Sequence, residues 1–171
     1  DFIHNGDIIV FDSACRYEGT SKLYVPPEFP AVAHHQVIQA CADAVEALGY
    51  PYHIGTTRSA DTFFAGHPAP GSSYNGYWNS SWAHLFEDLR RMNVYGAEME
   101  ASIVLVLGRI WGLRAGGMAV CLDNLLHVSD GADAFDPETQ LSHSASNIEK
   151  LSIAGCESLL RLWQADQKAL K

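Results

Sequence analysis

The stretch Ala97-Glu98-Met99-Glu100-Ala101-Ser102 stands directly before the apolar run Ile103–Leu107. Acidic side chains are favoured at a helix N-terminus, where unpaired N–H groups and the helix dipole carry partial positive charge. The junction therefore predicts a buried helix that begins near these carboxylates. Side chains two residues apart diverge on a helix, whereas at the end of an extended strand they point to the same side. Two interpretations follow: a charged helix cap, or a strand end whose two carboxylates bind one small polar molecule.

On both sides of this junction the chain alternates between strand-like and helix-like patterns. Apolar runs predict strands at Asp7–Tyr17, at Tyr52–Thr57 and at Ala115–Leu122. Helical spacing predicts helices over 31–48 and near 82–92, and a long amphipathic helix that closes the chain. The segment 65–81, rich in Gly, Pro, Ser and Asn, is predicted to be a loop. Strands alternating with helices predict an α/β fold, a sheet covered by helices.

In sheets of this kind, polar residues just beyond the C-terminal ends of strands form the site. Three groups meet that description: Arg58–Asp61, Glu98–Glu100 and Asp123–Asn124. We therefore expect the functional site among them.

Composition narrows the class of partner. The 171 residues are 47% hydrophobic and 18% charged, which is typical of a single well-packed domain. The net charge of −9 argues against a nucleic-acid or anionic-membrane partner, because either requires a clustered Lys/Arg face. No uninterrupted apolar run approaches the ~20 residues of a membrane-spanning helix. The four cysteines lie far apart in mostly apolar surroundings and are predicted to be reduced core residues.

Several catalytic motifs are missing from the sequence. No glycine-rich dinucleotide or P-loop pattern occurs, and no G-x-S-x-G elbow of a serine hydrolase. The eight histidines show no metal-ligand spacing, so no metal site is predicted. The chemistry expected is therefore one that uses neither a nucleotide cofactor nor a catalytic metal.

Three ordered segments carry a specific resemblance. They are Glu28–Ala33, then His53–Phe64 with its Ser-x-Asp-Thr-Phe-Phe stretch, then Ala97–Ala101 followed by Gly112–Gly116. Together they resemble the uridine phosphorylase branch of the nucleoside phosphorylase-I family. The resemblance spans about residues 7–124 and extends to the final helix. It implies a central mixed β-sheet flanked by helices, with residues 1–171 forming the C-terminal part of one such domain.

The resemblance also implies a reaction and roles for individual residues. The reaction is phosphorolysis, in which a nucleoside and inorganic phosphate give a free base and ribose 1-phosphate, with no further cofactor. Glu100 matches the carboxylate that accepts hydrogen bonds from the ribose hydroxyls, and Met99 would pack against the sugar. Phe63 matches the aromatic ring that stacks on the base, and Glu98 would line the pocket.

Two departures from the branch leave the base open. His67 and Ala69 stand where uridine phosphorylases carry a Gln and an Arg that contact the pyrimidine edge, so His67, Arg58 or a residue of the altered loop would have to substitute. Asp123 stands near the Asp that protonates the purine in purine-specific relatives, which would give it a general-acid role, but an ordinary strand-end or turn residue is an equal alternative. Uridine phosphorylases carry an Asn at this point, so the resemblance implies that Asn124 contacts the substrate. The alternatives are therefore a purine nucleoside phosphorylase, a hydrolytic nucleosidase, or a non-catalytic nucleoside-binding or storage relative.

The remaining expectations concern what surrounds the chain. It begins abruptly at Asp1-Phe2 without an initiator Met, and the family's phosphate-binding arginines and glycine-rich turn would lie upstream of it. The phosphate-binding residues are therefore left unassigned. The family builds its active oligomer from dimers, so a homodimer or an oligomer of dimers in the cytoplasm is expected.

Overall fold

In a computed structural model, the residues described are 2–63, 74–77, 79–82, 84–122, 124 and 137–170. Among these residues, five strands form one sheet: β1 (Ile8–Tyr17), β2 (Ala31–Val32), β3 (Tyr52–Ala60), β4 (Val94–Glu98) and β5 (Met118–Val120). In the same described ranges, four helices cover it: α1 (His35–Ala47), α2 (Leu85–Arg91), α3 (Ala101–Ile110) and α4 (Pro137–Ala169). Short 3-10 turns occur at Ser21–Leu23, Tyr74–Gly76 and Ser80–Trp82.

The sheet is mixed, and β1 is at its centre. β1 runs parallel to β3, and β3 runs parallel to β4. The opposite edge of β1 is shared by two antiparallel strands, with β5 beside Ile8–Val10 and β2 beside Ser13–Ala14. The predicted α/β fold with a central mixed sheet is confirmed.

Apolar side chains fill both faces of the sheet. On one face, Ile9, Phe11 and Ala14 pack with Leu105 and Val106 of α3. On the other face, a second cluster joins β1 to α1 and α4; it contains Ile8, Val10, Cys41, Val45 and Ala154. Because strand side chains alternate between faces, one strand can supply both layers.

Several boundaries differ from those expected. Ala31–Val32 pairs with β1, so the helix predicted from residue 31 begins only at His35. β4 is a short strand that periodicity did not reveal, and the strand predicted at 115–122 contracts to Met118–Val120. The loop predicted at 65–81 lies largely outside the described residues. Cys41 is buried as predicted, but Cys156 is exposed on α4, so the core prediction for it is wrong.

Candidate active site

The C-terminal ends of β3 and β4 meet at one edge of the sheet, because the two strands are parallel. Ser59 of β3 lies in register with Glu98, the last residue of β4. α3 begins at Ala101, directly after the two carboxylates. Phe63 follows three residues beyond the end of β3. The fold thus brings Phe63 and Glu98–Glu100 to the same sheet edge.

Glu98 caps α3. One of its oxygens accepts the backbone N–H groups of Glu100 and Ala101 at 2.6 and 2.5 Å. The other oxygen accepts the Ser59 hydroxyl at 2.5 Å. A carboxylate bound to the first N–H groups of a helix satisfies donors that the helix cannot pair and complements its dipole. The helix-cap interpretation is confirmed for Glu98.

Glu100 differs from Glu98 although it is two residues away. It occupies the N-cap position of α3, and its side chain makes no capping hydrogen bond. One oxygen accepts only a long bond of 3.3 Å from the Met99 N–H group, and the residue is exposed. The prediction that both carboxylates face one region holds, but three donors already occupy Glu98. Glu100 is therefore the carboxylate available to a ligand.

Both carboxylates line a cavity of about 260 Å³ between α3 and the strands β1 and β5. Apolar side chains form most of its wall, including Phe11, Val104 and Met118. Gly116 and Gly117 contribute backbone, and a Cβ on Gly116 would come within 2.5 Å of Val37 Cγ1. The cavity is half open to solvent, and Glu98 and Glu100 are the charged groups in its wall.

A buried polar network lies beneath the two carboxylates. The Ser59 hydroxyl, which donates to Glu98, also accepts the Ser102 N–H group at 2.8 Å. The Ser102 hydroxyl donates to Glu18 at 2.8 Å. Glu18 also accepts the backbone N–H of Ser21 at 2.7 Å and the Ser21 hydroxyl. Burial alone would raise the pKa of Glu18, but these hydrogen bonds outweigh it and lower that pKa.

Sequence reasoning assigned no role to Glu18 or Ser102, and it included Ser59 only within the group Arg58–Asp61. Ser59 stands in the Ser-x-Asp-Thr-Phe-Phe stretch, so the resemblance offered one signal for it. Glu18 lies in a turn 84 positions before Ser102, and no local pattern links the two. Only the folded chain joins them.

Phe63 and Met99, two further residues near this edge, are placed alike. Phe63 is 50% exposed and Met99 is 40% exposed, so neither is a core residue and both surfaces are accessible. Neither lines the cavity beside Glu100.

Arg58 is one residue predicted from the sequence to contact the base in place of the missing Gln and Arg. Arg58 is only 7% exposed. Its guanidinium carbon lies 5.2 Å from the centre of the Tyr17 ring. Burial lowers the pKa of Arg58. Because strand neighbours alternate, Arg58 lies on the face opposite to Ser59, away from the carboxylates. The geometry therefore does not favour Arg58 as a reader of a base held above Glu100.

Asn124 lies at the other end of the sheet. Its amide donates to the carbonyl of Ile3 at 3.0 Å, and Cys121 exchanges backbone hydrogen bonds with Gly6 and Asp7. Ser59, by contrast, lies opposite Arg16 on β1, which places the two regions about 30 Å apart along the strand. The expectation that the segment after β5 shares an edge with Glu98–Glu100 is wrong here, because β5 is antiparallel to β1. The ligand-binding role assigned to Asn124 stays a prediction.

His67, Ala69 and Asp123 lie outside the described residues, so their predicted roles also stay predictions. Among the described residues, no group of three or more His, Cys, Asp or Glu side chains is arranged to hold a metal ion. Within the same ranges, none of the helices combines the length and apolar character needed to cross a bilayer.

The described residues thus define the class: a mixed α/β protein with one carboxylate, Glu100, outside the helix cap and beside an apolar cavity. Comparison with known proteins narrows this class. A family model described as the phosphorylase superfamily matches residues 2–157, and the chain belongs to that superfamily.

Individual relatives agree with the family model. The chain is 46% identical over 122 residues to a uridine phosphorylase of Thermococcus kodakarensis, covering 71% of this chain and 43% of that protein. It is 34% identical over 122 residues to the uridine phosphorylase of Escherichia coli, covering 71% and 48%. A guanosine phosphorylase of Halorubrum lacusprofundi is 31% identical over 146 residues, covering 85% and 54%. The chain thus spans about half the length of the curated relatives it matches.

Proposed function

We propose that the full-length protein is a nucleoside phosphorylase that acts on uridine, giving uracil and ribose 1-phosphate. Membership of the phosphorylase superfamily and the names of the most similar relatives support this reaction class. The observation that carries the proposal is the unequal use of the two carboxylates. Glu98 is committed to the helix, whereas Glu100 faces the cavity with its acceptor capacity largely unused.

The sugar is bound by Glu100 in this proposal. An ionised carboxylate accepts hydrogen bonds from two vicinal hydroxyls, and such charge-assisted bonds are roughly twice as strong as neutral ones. Met99, next to it, packs its polarizable thioether against the ribose. Phe63 offers an accessible ring for stacking on the base. Glu98 holds Glu100 in place through the helix cap.

The reaction breaks the bond between the anomeric carbon and the base nitrogen. The base leaves with the bonding electrons, and a phosphate oxygen forms the new bond to the anomeric carbon. The sugar passes through an oxocarbenium-like state, as in glycoside hydrolysis. A carboxylate at the ribose hydroxyls lies close to this developing positive charge and stabilises it. Inorganic phosphate is a co-substrate, and no other cofactor is required.

The departing base needs hydrogen-bond donors as negative charge develops on it. His67 is the proposed base-side contact, and the roles of Asp123 and Asn124 stay predictions from the sequence, because Asn124 lies at the far end of the sheet from Glu100. We assign the protein to the glycosyltransferases of nucleotide salvage, acting in the cytoplasm as a dimer or an oligomer of dimers.

Purine nucleoside phosphorolysis is the second candidate. It is favoured by Asp123 and by His67 and Ala69, which replace the pyrimidine-reading pair. The relative named guanosine phosphorylase supports the same alternative.

The test uses the full-length protein with uridine, inosine and adenosine, each with and without phosphate, and follows release of the free base. Phosphate-dependent release of uracil is the expected result. Release of hypoxanthine but not uracil would move the assignment to the purine enzyme. Release that does not need phosphate indicates a hydrolase, and no release from any nucleoside indicates a binding or storage protein.

A further inference from the structure

We propose that Glu18 is a positioning residue for Glu100, acting through Ser102 and Ser59 at the start of α3. The inference rests on the proposed function, in which Glu100 binds the ribose. It assigns a role to a carboxylate that lies in the turn after β1 and touches no part of the cavity.

Burial makes this network rigid. Glu18 is 3% exposed, and Ser21, Ser59 and Ser102 are each fully buried. A desolvated hydrogen bond has no water to replace a lost partner, so its groups stay together or leave an orphaned polar atom. The two oxygens of Glu18 accept three hydrogen bonds, two from Ser21 and one from Ser102. Such a carboxylate holds its donors within a narrow range of positions.

The network reaches Glu100 along a continuous path. Glu18 fixes the hydroxyl of Ser102, and the Ser102 N–H group is fixed by Ser59. Ser59 in turn donates to Glu98, whose other oxygen holds the Glu100 N–H group. Hydrogen bonds therefore connect the first turn of α3 both to the turn after β1 and to β3. Glu100 is the N-cap residue of that turn, so these ties determine where its carboxylate lies.

The turn that carries Glu18 is itself anchored. Arg16 donates from Nε to the Ser21 hydroxyl at 2.8 Å. The same guanidinium donates to carbonyls of the proline-rich segment that follows, among them Pro26 at 2.7 Å and Phe29 at 2.6 Å. Glu18 therefore connects an immobilised turn to the ligand-binding end of α3.

The test is Glu18→Gln in the full-length protein. The substitution keeps the size of the side chain but replaces one carboxylate oxygen with an NH2 group. That group cannot accept the hydrogen bonds that Ser21 and Ser102 donate, so the first turn of α3 should shift. We expect kcat/KM for uridine to fall by on the order of 10-fold, through a higher KM for uridine and a lower kcat, since a misplacement of about 1 Å can cost up to about 100-fold in rate. The KM for phosphate should change much less. A variant that only loses folded protein would show a lower apparent kcat and an unchanged KM.

Two further comparisons make the test specific. Ser102→Ala should reproduce the rise in KM, and Glu18→Gln should add less than about 2-fold in that background, because residues in one network are not additive. The rise should also be smaller for 2′-deoxyuridine, which lacks one hydroxyl for Glu100. Glu46→Gln, an exposed carboxylate on α1, is the matched control and should behave as wild type. Independent effects of the two substitutions, or an unchanged KM for uridine in Glu18→Gln, would overturn the proposal.

Hydrogen exchange separates this proposal from the proposed function. Glu18→Gln should accelerate exchange of the Ser102 amide, whether or not the protein cleaves a nucleoside. If the wild-type protein cleaves no nucleoside but Glu18→Gln still accelerates exchange of the Ser102 amide, the proposed function is refuted and the hydrogen-bond network stands. Unchanged exchange at Ser102 would refute the network even in an active enzyme. If Glu18→Gln fails to fold, Glu18→Asp keeps the charge and takes its place in the same measurements.

Discussion

Replacing each of the two neighbouring carboxylates by its amide should separate stability from activity. Glu98→Gln removes the charge that accepts two helix N–H groups and the Ser59 hydroxyl. Glu100→Gln removes a charge that holds only a long bond from its neighbour. The two substitutions have the same chemistry and lie two positions apart, so each is the control for the other.

The expected loss for Glu98→Gln follows from its three hydrogen bonds. A bond to a charged acceptor contributes about 1 kcal/mol more than a bond to a neutral one, which gives a gross loss of about 3 kcal/mol. The freed N–H groups regain some hydration at this edge, and measured losses of a helix cap are about 0.5–2 kcal/mol. We therefore expect about 2 kcal/mol, which lowers Tm by about 4–8 °C in a chain of this size.

Glu100→Gln should leave Tm within about 2 °C of the wild-type value, because the side chain is exposed and caps nothing. It should lower kcat/KM by about 100-fold or more, the scale found when a group that stabilises transition-state charge is removed. Thermal unfolding and steady-state kinetics at 25 °C measure both effects. A wild-type Tm in Glu98→Gln, or an equal loss of Tm in both variants, would refute the division of roles between the two carboxylates.

Four other substitutions test the fold and the site. Burial alone raises the pKa of Asp7, but hydrogen bonds from His4 and His53 lower it below its usual 3.8. Its charged form therefore stabilises the fold above that pH, and the stabilisation is lost as pH falls through the lowered value. Asp7→Asn should accordingly be less stable than wild type to urea at pH 7, and a gap that persists well below pH 3.8 would contradict this. Gly108→Ala places a Cβ 2.3 Å from the Ala115 Cβ and should lower the unfolding free energy by about 1–3 kcal/mol. At Gly155 an added Cβ has nothing within 4 Å, so Gly155→Ala should raise the unfolding free energy by about 0.5–1 kcal/mol. Similar changes in both glycine variants would contradict the close packing of Gly108 against Ala115. Phe63→Ala should raise the KM for nucleoside with little change in Tm, because the ring is 50% exposed; an unchanged KM would exclude stacking.

Local pattern was sufficient for much of the fold. The apolar run before Tyr17 predicted β1, and the switch from acidic to apolar residues predicted a helix that begins near Glu98–Glu100, where α3 begins at Ala101. Such signals depend on side-chain spacing along a few turns or a few strand residues, which is present in the sequence itself. The sequence pattern did not predict β4, because its five residues include Gly96, are all partly buried or exposed, and show no apolar run.

The roles of particular side chains were less accessible. The resemblance assigned the ribose to Glu100 and a place in the pocket lining to Glu98, but spacing alone could not say which of them caps the helix. That choice depends on Ser59, which lies 39 positions before Glu98 and reaches it only through the pairing of β3 with β4. The position of Arg58 also depends on the folded sheet. It lies away from the carboxylates because of the strand face that it occupies.

The sequence by itself determined the α/β class, the junction that carries Glu100, and the resemblance to nucleoside phosphorylases, because spacing and motif order are local properties of the chain. Tertiary structure alone decided the direction of β5, which carries Asn124 to the far end of the sheet, and the separate uses of Glu98 and Glu100. It also revealed Glu18 beneath the site. Strand direction and buried hydrogen bonds join residues that are far apart in sequence, and no local pattern contains their partners.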